Sequence, residues 1–206
     1  NLIMSGGDIK GVAGGSSGGD DRSVAAPRDP GGRPRVVENM FQTPLDQPLS
    51  TFSVEVDRAS FAEARRLLRS GILPSPESIQ VEAFVNAFQY SYPEPRPGEA
   101  VSVIADVAAC PWTPGHKLVR IGLMSRRGAT DVKLQVEFNP ARVKAYRLIG
   151  FEPGKLKARE FNDDAAPGGT LAAGQAVTAL YEIVPPGMDV PGYSVDELKY
   201  QKTPRL

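Results

Sequence analysis

Residues 116–140 read "HKLVRIGLMSRRGATDVKLQVEFNP". Two runs in this stretch alternate apolar and polar residues with the period of a strand. Val119, Ile121 and Leu123 share one side of the first. Val132, Leu134, Val136 and Phe138 share one side of the second, against Lys133, Gln135 and Glu137. Between them stand residues 124–131, "MSRRGATD", whose Arg126-Arg127-Gly128 suits a tight turn. The simplest reading is a hairpin across Ser125–Ala129, with Val119, Ile121, Leu134, Val136 and Phe138 in the core.

The same period recurs on both sides. "VSVIADVAA" (101–109) alternates Val101, Val103, Ala105 and Val107, and "FSVEV" (52–56) alternates Phe52, Val54 and Val56 as a half-buried strand would. "VKAYRLIGF" (143–151) and "VTALYEIV" (177–184) complete the set. Two stretches carry helical spacing instead. Residues 61–69 place Phe61, Ala64, Leu67 and Leu68 on one stripe, with Ser60 and Glu63 spaced as a capping box and Gly71 as a stop. Residues 76–88 have Ser75 as N-cap, Pro76 at the first position, and Val81, Phe84, Val85 and Phe88 on one face to be buried. The fold class is therefore α+β: a mostly antiparallel, β-sandwich-like sheet with two short helices near the N-terminal side.

Composition narrows the function. Lys and Arg number 24, as do Asp and Glu, so the chain lacks the basic excess of a nucleic-acid binder. With 21 Gly and 19 Pro in 206 residues, turns and strands should outnumber long helices. Cys110 stands alone, which excludes an internal disulfide and a cysteine-rich metal site. No apolar run reaches the roughly 18 residues of a membrane helix, and "NLIMSGGDIK" lacks the pattern of a signal peptide. Residues 1–35 hold nine Gly and three Pro and read as a flexible tether.

Several stretches, in order, resemble a family of bacterial von Willebrand factor type A (vWA) proteins. They are "PLSTFSVEVDRASF", "CPWTPGHKLVRIGL", "DVKLQVEFNPARVKAYRLIGFE", "FNDD" and "TALYEIVPPG". Similar proteins carry a flanking region ahead of the vWA domain and an uncharacterised domain behind it. They place the vWA domain, a doubly wound α/β unit, between the strands resembling "LVRIGL" and "DVKLQVEF". That domain binds a divalent cation through a D-x-S-x-S loop, with a Thr and an Asp from further on. Here residues 124–131 occupy the place of the whole domain. The organisation this implies is a tether at 1–35, an N-terminal flanking region at 36–123, a seam at 124–131 and a β-rich C-terminal flanking domain at 132–206.

No cation motif replaces the missing one. "DRSVA" (21–25) has Ala25 where the second Ser belongs, and "DRAS" (57–60) has the wrong spacing, with Asp57 ending a strand and Ser60 capping a helix. "NDD" (162–164) offers oxygen ligands that more often belong to a solvated turn. Cys110 and His116 could form a nucleophile pair, but the prolines between them point to a turn, with His116 structural or exposed. Trp112 would anchor that turn in the core. Arg126 and Arg127 read as a solvated turn. Glu137, Glu152 and Glu160 could supply an acid–base pair if the fold brought two of them together.

The expectation is thus a non-enzymatic cell-envelope protein, a frame for protein–protein contact that lacks its vWA domain. No catalytic residue, metal or cofactor is assigned, the partner is a protein, and any membrane anchor would lie upstream. The alternatives left open are cation-dependent adhesion and a hydrolase using carboxylates or Cys110.

Overall fold

The computed structural model describes residues 3–4, 38–56, 58–152, 155–162, 165–166 and 168–191. Its strands are β1 (Ile3–Met4), β2 (Leu49–Ser53), β3 (Val101–Ala109), β4 (Lys117–Ser125), β5 (Ala129–Glu137), β6 (Ala145–Ile149), β7 (Lys155–Leu156), β8 (Gly169–Leu171) and β9 (Ala176–Val184). Helix α1 spans Ala59–Arg69 and α2 spans Val81–Val85, with 3₁₀ turns at Pro76–Ser78 and Ala158–Asn162. Residues 5–35 of the expected tether lie outside the described residues, as do "DRSVA", Asp57, Asp163 and Asp164.

The strands form two antiparallel sheets. One runs β1-β5-β2-β7, with β8 also on β5; the other runs β3-β4-β9-β6. The hairpin expected of β4 and β5 does not form. β4 pairs with β3 and β9, whereas β5 pairs with β1, β2 and β8. Residues 126–128 instead carry the chain from one sheet to the other, with Gly128 at φ 88° and Asp131 at φ 55°. Alternation tells which side of a strand is apolar but not which strand lies beside it. Each sheet therefore draws strands from both sides of residues 124–131.

The apolar sides of both sheets meet in one cluster. It includes Phe52 and Val54, then Val119, Ile121 and Leu123 from β4, Leu134 and Val136 from β5, Tyr146 and Leu148 from β6, and Tyr181 and Ile183 from β9. Aromatic rings bridge the sheets: Phe138 stacks on Tyr146 at 4.0 Å and meets Tyr181 edge-on at 5.1 Å. All five core residues expected from the opening stretch are buried. β2 is not half-buried as expected; it begins three residues earlier and is covered on both sides, so Thr51 and Ser53 are buried too. Tyr181 donates to Ser50 Oγ at 2.9 Å, and Gln135 Nε2 donates to Thr51 Oγ1 at 2.9 Å. These bonds satisfy polar groups that the core would otherwise strand.

The helices depart from their sequence patterns in detail. Ser60 does not cap α1; it donates to Ser78 O and accepts from Gln80 N, tying α1 to the chain before α2. Glu63 pairs with Arg66. α2 shrinks to five residues, and the face predicted to be buried is not the one buried. Phe88 is 66% exposed, while Glu82, Ala83 and Asn86 are buried. Phe84 and Phe88 pack on Phe61 of α1, which leaves the polar side of α2 against β9.

Candidate functional site

The outward side of the four-stranded sheet holds the most concentrated polar chemistry among the described residues. Cross-strand partners share a face. Gly122 lies opposite Thr178, Leu118 opposite Glu182, and Glu182 opposite Arg147. The β3–β4 connection folds over this face, closed by Cys110 N–H donating to His116 O at 3.0 Å. Helix α2 and the segment after it cover the rest.

Glu182 is the centre of the arrangement. Its carboxylate lies in a β-strand, 1% exposed, and receives every donor that surrounds it. Trp112 Nε1 donates at 2.9 Å, and Arg147 donates through Nε at 3.0 Å and its guanidinium NH2 at 2.8 Å, all to Oε2. His116 Nδ1 meets Oε1 at 2.5 Å. Arg147 also reaches Glu38 at 3.3 Å and lies 5.0 Å above the Phe41 ring, while His116 meets the same ring edge-on. Burial pushes the Glu182 carboxyl up, but the bonds from Trp112, His116 and Arg147 outweigh it and hold it below the usual carboxylate range. An acid so fully bonded is a fixed charge that orients its neighbours, not a base.

Next to Trp112 and Arg147 opens a cleft of about 230 Å³. Asn39, Val81, Gly150 and Glu152 complete much of its wall. Burial, then the charges of Glu82 and Glu38, push the Glu152 carboxyl up. Glu152 Oε2 and Glu82 Oε2 are both buried without a hydrogen-bond partner. Gly150 makes this approach possible. It has φ 76°, and a Cβ there would lie 2.6 Å from Glu82 Oε2 and 2.9 Å from Glu82 N.

Beyond Gly150 the chain leaves the sheet, with Phe151 also at positive φ. The edge of β9 it vacates is filled by a side chain. Asn86 Nδ2 donates to Thr178 O at 2.9 Å, and Thr178 N donates to Asn86 Oδ1 at 2.7 Å. One amide thus repeats the two-bond pattern of a neighbouring strand. Tyr92 lies flat on Gly122, where a Cβ would come within 2.5 Å of the ring, and its hydroxyl meets Thr178 Oγ1 at 2.7 Å.

The residues weighed in the sequence fall out as follows. His116 is buried, and its ring faces Glu182 and not Cys110, to which it is joined by the backbone bond from Cys110 N–H to His116 O. Trp112 is not in the core: it is 49% exposed, with its indole N–H turned to Glu182. Arg126 pairs with Glu94 at 3.4 Å, and both Arg126 and Arg127 are exposed. Glu137 is exposed at the end of β5, and Glu160 accepts from Lys157 N. The carboxylate brought to Glu152 is Glu82, which the sequence did not single out. No three His, Cys, Asp or Glu side chains converge to hold a metal among the described residues. No helix among them is long and apolar enough to cross a membrane.

The fold is thus two antiparallel sheets with a buried ionic network and a small side cleft. Two family descriptions match the chain in succession. One, described as von Willebrand factor and labelled vWF_A, matches residues 34–120; the other, described as the C-terminal part of uncharacterized protein YfbK, matches residues 127–205. The gap between the two matches, residues 121–126, takes in the end of β4 and the first residue of the turn into β5. Uncharacterized protein YfbK of Escherichia coli (strain K12) is 41% identical over 78 residues, 38% of this chain and 13% of that protein. The chain thus matches about an eighth of the length of this curated relative. No solved structure gives a significant match. Together the matches fit a vWA-related, YfbK-like family protein.

Proposed function

We propose that the chain is a non-enzymatic cell-envelope protein whose two sheets form a β-sandwich frame that engages a protein partner. The observation that supports this reading most is the sharing of both sheets across residues 124–131. Such a frame is complete without a domain at the join. On this reading 36–123 and 132–206 are the two flanks of one body, 124–131 is the seam and 1–35 is the tether. The envelope location follows from the family resemblance. The contact surface is the cleft. Its wall is braced by Glu182, Trp112 offers a half-exposed aromatic face, and the half-buried Glu152 lines the same cleft. Aromatic anchors beside a rigid wall are what interface hot spots are made of.

A photo-crosslinking residue placed at position 112 in cells tests this. A discrete protein adduct in the envelope fraction is expected, absent when the label stands at exposed Arg142. No adduct at 112, or the same adducts at both positions, overturns the reading. One observation favours a second reading, a hydrolase: Glu152 lines the cleft, and burial together with the charges of Glu82 and Glu38 raises its carboxyl, the direction a proton donor needs. Turnover of an ester, peptide or glycoside panel that Glu152→Gln abolishes, with the fold intact, would select it.

A further inference from the structure

The four-stranded sheet ends at β3, nine residues long, and no described strand pairs with its outer edge. Protected edges carry Lys, Pro or a covering segment. β3 has no Lys and no Pro; its single charged residue, Asp106, is paired within the chain to Arg120 at 2.6 Å.

Among the described residues the strand also lacks cover on its apolar side. Val103 lies opposite Leu123, Ala105 opposite Ile121 and Val107 opposite Val119, so these three continue the core face. Yet Val103 is 39% and Val107 66% exposed, while their β4 partners are buried. The other sheet does not reach this far. Among the described residues an open row of backbone groups and an uncovered apolar row thus coincide on one strand.

The pattern around Ala105 is self-complementary. If a second β3 runs antiparallel about a two-fold axis at Ala105, Val103 meets the partner's Val107, and Ala105 meets the partner's Ala105. On the opposite face Asp106 meets the partner's Ile104, and Ser102 meets the partner's Ala108. No charge is brought directly opposite a like charge. We propose that β3 is a homodimerisation edge, pairing in this register with a second copy of this chain to make one continuous eight-stranded sheet. A two-fold interface requires one surface patch to complement itself, which this strand does. Backbone bonds supply the attraction, and the two Val103–Val107 pairs fix the register.

Sedimentation of the native chain across the micromolar range should show a concentration-dependent dimer. Val107→Lys, at an exposed site, should weaken self-association by at least ~tenfold, since two ammonium groups then enter the apolar row. Cysteine placement tests the register. Ala105→Cys should form an intermolecular disulfide under mild oxidation, because directly opposed Cα atoms in such a pair are about 4.5–5.5 Å apart. Ala108→Cys should not, because the two cysteines stand six residues apart along the strand, roughly 20 Å. If Ala105→Cys fails to fold, the native and Val107→Lys sedimentation decides. A strictly monomeric native chain overturns the proposal, whether the edge is covered by other residues of this chain or kept for a different protein. Equal crosslinking at 105 and 108 overturns the register and with it the two-fold edge.

Discussion

Along β6, one edge of the four-stranded sheet is occupied; along β3, the other, no described residue pairs with it. On the β6 side Gln42 and Tyr146 exchange backbone bonds at 2.8 and 2.9 Å. Asn39 Nδ2 donates to Leu148 O and Gly150 O, and Asn86 completes β9 where β6 has ended. On the β3 side the described bonds beyond the strand pairing are those from Ser102 Oγ to Pro93 O and from Arg120 to Asp106, and neither closes the outer backbone edge. The difference lies in what stands nearby. Asn side chains carry a donor and an acceptor in the geometry of a peptide group, so they can end a sheet without adding a strand. Aromatic and ionic groups then gather over the finished edge, and the cleft forms there. An edge without such residues stays available for another backbone.

The contrast can be broken most severely at Glu182, beside β6. Glu182→Ala removes the acceptor shared by Trp112, His116 and Arg147. Urea unfolding should show a loss of about 3–5 kcal/mol, as when one partner of a buried ion pair is removed. The acid limb should change with it. A carboxyl held low in the folded state contributes stability above its unfolded value, near pH ~4.3, and loses it as pH falls through the lower folded value. Glu182→Ala should flatten the stability profile in that range. Glu152 acts in the opposite sense: its raised value lowers stability as pH climbs past the ordinary carboxylate range. A variant as stable and as acid-sensitive as the native chain would show that the network carries no weight.

The next effect is at Asn86. Asn86→Ala strands a buried N–H and C=O of Thr178, and each unsatisfied group costs about 1–3 kcal/mol. The same urea titration should show a loss of a few kcal/mol, and Thr178 N–H should exchange with deuterium faster than its β9 neighbours. An unchanged exchange rate would mean that water replaces the side chain without penalty.

The smallest effects sharpen the comparison directly. Asn39→Ala should cost about 1 kcal/mol, the ordinary worth of its hydrogen bonds. Val107→Lys should move the midpoint of the dilute chain by no more than about 0.5 kcal/mol, because the side chain is mostly exposed and touches no such network. Finding the two reversed in order would mean that β3 is the supported edge and β6 the open one.

How far the sequence reached differs by element. The runs at 101–109, 117–123 and 132–138 gave their strands because period-two alternation is written locally. β7 and β8, of two and three residues, are too short to show any period. The α2 pattern misled because its apolar spacing was real, but its partner was Phe61 and not the sheet. Glu182 sits in "TALYEIV" at the parity of Thr178 and Leu180, an unremarkable outward position for a half-covered strand. Its one sequence signal was Arg147, a single opposite charge at the matching parity of "AYRLI". His116 and Trp112 lie 66 and 70 residues away and could not be joined to it by inspection.

By itself the sequence determined which residues alternate, which five form the core of the central strands, and that residues 124–131 hold no domain. These follow from side-chain chemistry and chain length. Strand pairing, the crossing of the seam between sheets, the polar face of α2 and the donors around Glu182 were decided only in three dimensions. Hydrophobic burial fixes which face of a strand turns inward but is indifferent to its neighbour, whereas a hydrogen-bond network exists only once distant segments have been brought within about 3 Å of each other.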